Sequence, residues 1–402
     1  MGLCLRYPGL VVLHDTQLHH ARAAFLLRER RAADYRAEFA WSHPEAPPDA
    51  AELAVAGLDS RLFYEWGMAR GLIAASRLVA VHGEGARRMV MESTPNATPP
   101  DSHGDLRDRI VSIRLGHGQF VGSDERRSAR QRVRANLGIA ADAVLFGVFG
   151  GLTPEKRIPQ VLAAMRALVP HAPSARLLLA GAAAAHYDVH AGIAAHGLQD
   201  RVTVAGYLAE SDLTDHLAAC DVSLNLRWPT ARETSGAWLR ALAAGVPTII
   251  TDLAHLGDVP ALDPRTWTED GLWALGVGRW EELERNPSVT STSALKPKAE
   301  SRKPICVAID ILDEDHSLRL AMRRLAQDAG LRDRLGRAGQ AWWQRQHSLE
   351  VMVEDYVQLI ATAAARPAEP GDVSDGRPDH LRSDGDRRLD ALLAPFGIEA
   401  PI

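Results

Sequence analysis

Short apolar runs alternate with longer amphipathic stretches along the whole chain. Leu10-Val11-Val12-Leu13-His14 is apolar, rich in β-branched residues and closed by polar positions, the pattern of a buried parallel strand with a polar group at its carboxyl end. Asp15, His19 and His20 follow it. A second run, Leu78-Val79-Ala80-Val81-His82-Gly83, comes after a helical stretch around Arg61 to Ser76, and a third, Arg109 to Arg114, leads into Leu115-Gly116-His117-Gly118. Strands alternating with helices predict an α/β chain built on doubly wound sheets. Residues 45–52 and 94–104, rich in Pro, Ala, Thr and Ser, are expected as surface loops.

The charged stretch Asp124–Leu137 predicts a helix, after which a new strand series starts at Val144, so a domain boundary is expected near residue 120. The series continues with Arg176–Ala180, Val202–Ala205, Asp221–Leu226 and Val246–Thr251, separated by helices at 159–169 and 211–219. Residues 266–303 lack a periodic apolar face and predict a mobile insertion without chemistry of its own. A strand at 305–309 resumes the sheet, and helices are expected at 316–329, 331–346 and 349–365. The division read from this pattern is 1–120, 121–348, a final helix at 349–366 packing back towards the first domain, and a loosely ordered tail at 367–402 with a short helix at 387–394.

Composition narrows the classes. The chain has 402 residues, 46% of them hydrophobic, which suits two or three domains with sizeable cores. A net charge of −5 supplies no global positive field for nucleic acid. The three cysteines, Cys4, Cys220 and Cys306, are too scattered for a zinc module or a disulfide framework, and a reducing cytoplasm is expected. No apolar run approaches the roughly 20 residues of a membrane span. Only four of the 46 basic residues are lysines, and Lys296, Lys298 and Lys303 share one short tract, leaving Lys156 alone in the rest of the chain.

Lys156 lies in Phe149-Gly150-Gly151-Leu152-Thr153-Pro154-Glu155-Lys156-Arg157-Ile158-Pro159, where a strand ends in two glycines and Pro159 opens a helix. Glycines admit a ligand close to the backbone, and a helix start beside two cations suits phosphate oxygens. A plain βα turn with solvated Lys-Arg is the competing reading; a Walker A loop would need Gly-x4-Gly-Lys-Ser/Thr. A second candidate runs from Arg227 to Pro247: Thr234 or Ser235 caps a helix that Gly245 stops, and Glu233 and Arg240, seven apart, share a face if the helix holds both. A capped helix with an incidental ion pair competes there. Both candidates follow the carboxyl ends of strands, where open α/β sheets bind ligands.

In this order, Phe-Gly-Gly-Leu-Thr-Pro-Glu-Lys-Arg, Leu-Leu-Leu-Ala-Gly, Val-Thr-Val-Ala-Gly-Tyr, Ala-Cys-Asp-Val-Ser-Leu-Asn-Leu-Arg and Glu-Thr-Ser-Gly-Ala-Trp-Leu-Arg-Ala-Leu-Ala-Ala-Gly-Val-Pro, the chain resembles GT-B glycosyltransferases of family 4 over roughly residues 5–260 and 305–365. The resemblance implies two Rossmann-like domains with a cleft between them. It also implies retaining, metal-independent transfer from a UDP- or GDP-sugar, without a further cofactor, to a glycan or lipid-linked acceptor. Lys156 matches the lysine pairing the donor diphosphate, with Gly150, Gly151, Arg157, Arg227, Thr234, Ser235 and Arg240 around it. Glu233 matches the acidic residue at the sugar and His14 a histidine near the reaction centre. No nucleic acid and no metal are expected; peripheral association with the inner face of the membrane is the lipid-linked corollary.

Three positions depart from the family pattern. Arg240 stands where the second of two glutamates belongs, Gly151 replaces an arginine, and the His14 strand begins about ten residues from Met1, which implies a divergent Glu-Thr-Ser subgroup with a truncated first domain. On that basis two other readings stay open: a non-catalytic nucleotide-sugar- or protein-binding remnant, and a sugar-nucleotide epimerase. His82 and His117 are weaker candidates at strand ends, and Arg28-Glu29-Arg30-Arg31 is either a solvated helix or a contact for anionic lipid.

Overall fold

The computed structural model describes residues 2–47, 49–58, 62–94, 106–268, 303–367, 376–381 and 393–396. The chain divides into two compact units, the first formed by Met1–Leu115, Thr230–Thr234 and Met352–Ile402, the second by Gly116–Pro229 and Ser235–Val351. The sequence candidates at 269–302 and at 387–392 lie outside the described residues. Among the described residues no helix is long and apolar enough to cross a membrane.

The first unit holds a parallel sheet in the order β1-β2-β3, with β1 at Leu10–Leu13, β2 at Leu78–His82 and β3 at Ile110–Ile113. Leu13 pairs with Val81 and His82 with Ile113, so the residue after β1 lies beside the last residue of β2. β2 is buried throughout, as its unbroken apolar run requires of a central parallel strand. A second core gathers Ala23, Leu26, Tyr35, Phe39, Ala54 and Met68 from the helices His19–Arg28 and Ala32–Ser42 and from the chain after them.

Two expectations fail in this unit. Residues 50–52, read as loop from their Pro-rich surroundings, open the helix Ala50–Val55, because Ala50, Ala51 and Ala54 fill the second core. The tail is also not uniformly loose. His380 and Leu381 are buried, and His380 Nε2 stands 2.9 Å from Glu38 Oε2. Glu38 also accepts Arg22 Nε and Nη2 at 2.7 and 2.6 Å. Burial alone would raise the Glu38 pKa, but Arg22 and His380 outweigh it and hold the carboxyl below its usual range.

The second unit is a seven-stranded sheet in the order β6-β5-β4-β7-β8-β10-β9. Its strands are β4 (Leu145–Phe149), β5 (Arg176–Ala180), β6 (Val202–Gly206), β7 (Val222–Asn225), β8 (Thr248–Thr251), β9 (Ala261–Leu262) and β10 (Cys306–Ile309). All pairings are parallel. Alternate residues serve opposite faces: Phe146 and Val148 join the core under helices Ile158–Leu168 and Glu314–Gln327, while Leu145 and Phe149 join the core under Glu210–Ala219 and Gly236–Ala243. From β4 the chain builds outwards to β5 and β6, then restarts on the other side with β7. The crevice beyond the carboxyl ends of β4 and β7 is thus the topological switch point, where doubly wound sheets bind ligands. Asp221 ties the two strands together by accepting the Leu145 N–H (2.7 Å), Arg134 Nη2 (2.5 Å) and Arg130 Nη2 (2.8 Å).

Candidate functional site

Two loops of the second unit leave the switch point, one after β4 and one after β7. Gly150, directly after β4, has φ +95°, and a Cβ there would collide with the Lys156 ammonium. Gly181, after β5, would meet the Gly150 carbonyl in the same way. Glycine at both positions lets the turn fold back on the sheet, so that Lys156 Nζ donates to the Phe149 carbonyl at 2.5 Å. Arg157 adopts the left-handed conformation, φ +59°, ahead of the helix Ile158–Leu168. Its guanidinium is bidentate on Glu314, with Nε to Oε1 at 2.7 Å and Nη2 to Oε2, so the structure commits it to an ion pair.

Lys156 is half-buried and no carboxylate pairs with it among the described residues. Desolvation, reinforced by the neighbouring Arg227 guanidinium, lowers its pKa from 10.5 to about 8. The Arg227 N–H donates to Thr251 Oγ1 at 3.2 Å, and the Trp228 N–H donates to the Glu155 carbonyl at 2.8 Å. That second bond straps the loop after β7 to the turn after β4. Lys156, beside a glycine turn, next to Arg227 and with no carboxylate paired to it among the described residues, offers a site for an anion.

The loop after β7 then leaves the second unit. Thr230–Thr234 belongs to the first, where the Ala231 carbonyl accepts from the N–H groups of Thr16 and Gln17 at 3.2 and 3.4 Å. Glu233 Oε2 accepts from Thr230 Oγ1 at 2.9 Å. The segment carrying Glu233 is thereby fastened to the segment that follows His14. His14 is exposed, with Nδ1 at 3.0 Å from His82 Nε2. Thr234 ends this excursion and Ser235 re-enters the second unit, its Oγ accepting the Trp238 N–H at 3.3 Å as the cap of Gly236–Ala243.

Because that helix begins only at Gly236, Glu233 lies outside it, and the condition under which Glu233 and Arg240 would share a face is not met. Arg240 instead pairs through Nη1 with Glu210 and donates through Nε to His117 Nε2 at 3.0 Å. Burial, with Arg240 beside it, lowers the His117 pKa, as an imidazole held as acceptor requires. Gly236 sits flat on the His117 ring, where a Cβ would come within 2.9 Å of Nε2. His19, near His14 in sequence, is buried against Tyr35 Oη at 2.7 Å, and desolvation lowers its pKa to about 4. Among the described residues no group of three or more His, Cys, Asp or Glu side chains is placed to hold a metal ion.

Gly181, Glu314, Glu210 and Thr230 escaped the sequence reading. The Leu-Leu-Leu-Ala-Gly run placed Gly181 at a strand end, but its role depends on the neighbouring strand. Glu314 meets Arg157 across 157 positions, and no local pattern announces that pair.

Residues 143–271, about a third of the chain, match the family model described as glycosyl transferases group 1. No curated relative matches the sequence. The chain is similar to HepE of Anabaena, solved in complex with UDP and glucose, at 14% identity and TM-score 0.55 over 90% of this chain and 72% of that one. It is similar to sucrose-phosphate synthase of Thermosynechococcus elongatus at 15% identity and TM-score 0.56, over 89% and 68%. A third likeness is to WaaG, a glycosyltransferase involved in lipopolysaccharide biosynthesis, at 13% identity and TM-score 0.52, over 89% and 76%. At these identities the likeness establishes the fold, two Rossmann-like units of the GT-B kind.

Proposed function

We propose that this chain is a retaining, metal-independent glycosyltransferase that moves a sugar from a nucleotide-diphosphate sugar to a glycan or lipid-linked acceptor, at the inner face of the cytoplasmic membrane. The observation that carries this reading is Lys156, a desolvated cation with Arg227 beside it and no carboxylate paired to it among the described residues, at the switch point of the sheet whose sequence matches the group 1 glycosyl transferases. The donor diphosphate supplies a negative partner for Lys156. The Gly150-Gly151 backbone, Lys156, Arg227 and the helix start at Ser235 receive its oxygens, and Arg157 shapes the turn from its bond to Glu314. Thr234 sets the entry to that helix and Arg240, through His117, the ring on which Gly236 rests.

In the reaction the bond between the anomeric carbon and the diphosphate oxygen breaks, and the acceptor oxygen bonds to the same face of the carbon. The acceptor proton passes to the departing phosphate, whose growing charge Lys156 and Arg227 stabilise. Glu233 orients the sugar, and His14 takes one of its hydroxyls. Uridine is the first base to try, since HepE is solved with UDP.

Calorimetric titration with UDP, GDP and their sugars tests the site. Micromolar binding of one nucleotide, weakened at least tenfold in Lys156→Ala, supports it. Equal affinity in the variant would falsify the phosphate assignment. Consumption of the sugar nucleotide, with transfer to an acceptor, separates a transferase from a binding remnant or an epimerase.

A further inference from the structure

The first unit contains a hydrogen-bonded chain that runs across all three of its strands. His82 closes β2, buried, with Nδ1 at 3.4 Å from the Ile113 carbonyl of β3 on one side and Nε2 at 3.0 Å from His14 Nδ1 on the other. The register produces this alignment: Leu13 opposite Val81 and His82 opposite Ile113 put residues 14, 82 and 113 side by side at the carboxyl edge of the sheet. The two rings are 4.9 Å apart and tilted by 37°.

A carbonyl oxygen only accepts, so the ring nitrogen facing it carries the proton. His82 in its neutral form is then protonated at Nδ1 and has a lone pair at Nε2. That lone pair takes a proton donated by His14 Nδ1. Neutral His14 has only one N–H, which this bond uses, so its Nε2 is left as an acceptor. We infer that His82 is a positioning residue that fixes the tautomer of His14, so that His14 offers Nε2 as a hydrogen-bond acceptor to a sugar hydroxyl. The hydroxyl assignment rests on the glycosyltransferase reading; the tautomer does not. An isolated imidazole carries no such bias towards a fixed outward acceptor, and a hydroxyl donor meeting an N–H instead would find no lone pair there.

The test uses the full chain labelled with 15N at its histidine rings, with long-range proton–nitrogen correlation above the histidine titration range and His14 assigned by the signal lost in His14→Gln. His14 is expected to show a protonated Nδ1 and a bare Nε2, with and without nucleotide. In His82→Phe the His14 proton is expected on Nε2. In His82→Gln, whose amide oxygen reaches the position of the lost ring nitrogen, the Nδ1–H form is expected to persist. A wild-type His14 protonated at Nε2, or a His14 tautomer unchanged in His82→Phe, overturns the proposal. Kinetics supply the second readout: His82→Phe is expected to lower kcat about tenfold at unchanged KM for the donor, with His82→Gln restoring most of it. Were the wild type to consume no sugar nucleotide, the transferase reading would fail while the tautomer measurement still decided the role of His82.

Discussion

Lys156 carries an electrostatic cost that has a measurable sign. Its pKa is about 8 in the folded chain against 10.5 for an ordinary lysine, so between these values the unfolded chain binds more protons and stability rises with pH. Below pH 8 the full cost is present. Lys156→Met is therefore expected to stabilise the protein by about 1–2 kcal/mol at pH 7, the relief of desolvation exceeding the lost bond to Phe149, while abolishing diphosphate binding. Urea denaturation decides it, and a less stable variant would show that the burial is compensated elsewhere. Diphosphate affinity is expected to be highest below about pH 7 and to fall as pH rises through about 8, because the neutral amine has no charge to offer. Gly150→Ala tests the turn from the other side. Its Cβ must displace the ammonium, so nucleotide affinity should fall about as far as in Lys156→Ala, and retained affinity would show that the ammonium has another resting place.

At the scale of elements, the strands were legible because buried parallel strands are continuous apolar runs, and each run found in the sequence is a strand to within about a residue or two at each end. The helix Ala50–Val55 was missed since two prolines mark a loop by composition while the alanines beyond them fill a core visible only in three dimensions. Lys156 stood out because it is isolated in the sequence, whereas the pairing of Arg240 with Glu210 rather than Glu233 depends on where a helix starts, a matter of about three residues. Asp221 is the joint between β4 and β7. Asp221→Ala leaves Arg134 buried without its carboxylate and the Leu145 N–H unpartnered, and a loss of about 3–5 kcal/mol is expected in chemical denaturation. A loss under 1 kcal/mol would mean that Arg134 is satisfied by the backbone carbonyls around it, those of Ala219, Ala140 and Ala143 among them.

For the whole molecule, neither unit is a continuous stretch of chain. The first draws on the chain beyond Met352 and on five residues from the loop after β7, an excursion that no reading of successive segments reveals. Its stability accordingly depends on residues far from its start. A chain ending at residue 367 loses His380 from Glu38 and is expected to destabilise the first unit by about 1–3 kcal/mol. Hydrogen exchange in Ala32–Ser42 reads the effect, and exchange unchanged in that helix would show that Arg22 suffices to hold the carboxylate.

The solitary lysine at the switch point has a chemical consequence beyond ligand binding. With a pKa of about 8, roughly half of the Lys156 side chains are uncharged nucleophiles at pH 8, against under one in a hundred for an ordinary lysine, and the rest of the chain offers only three other lysine side chains. The anion site is thus also an acylation site: a dilute amine-reactive ester should modify Lys156 ahead of other lysines, and a bound nucleotide should shield it, so that one mass spectrum reports occupancy.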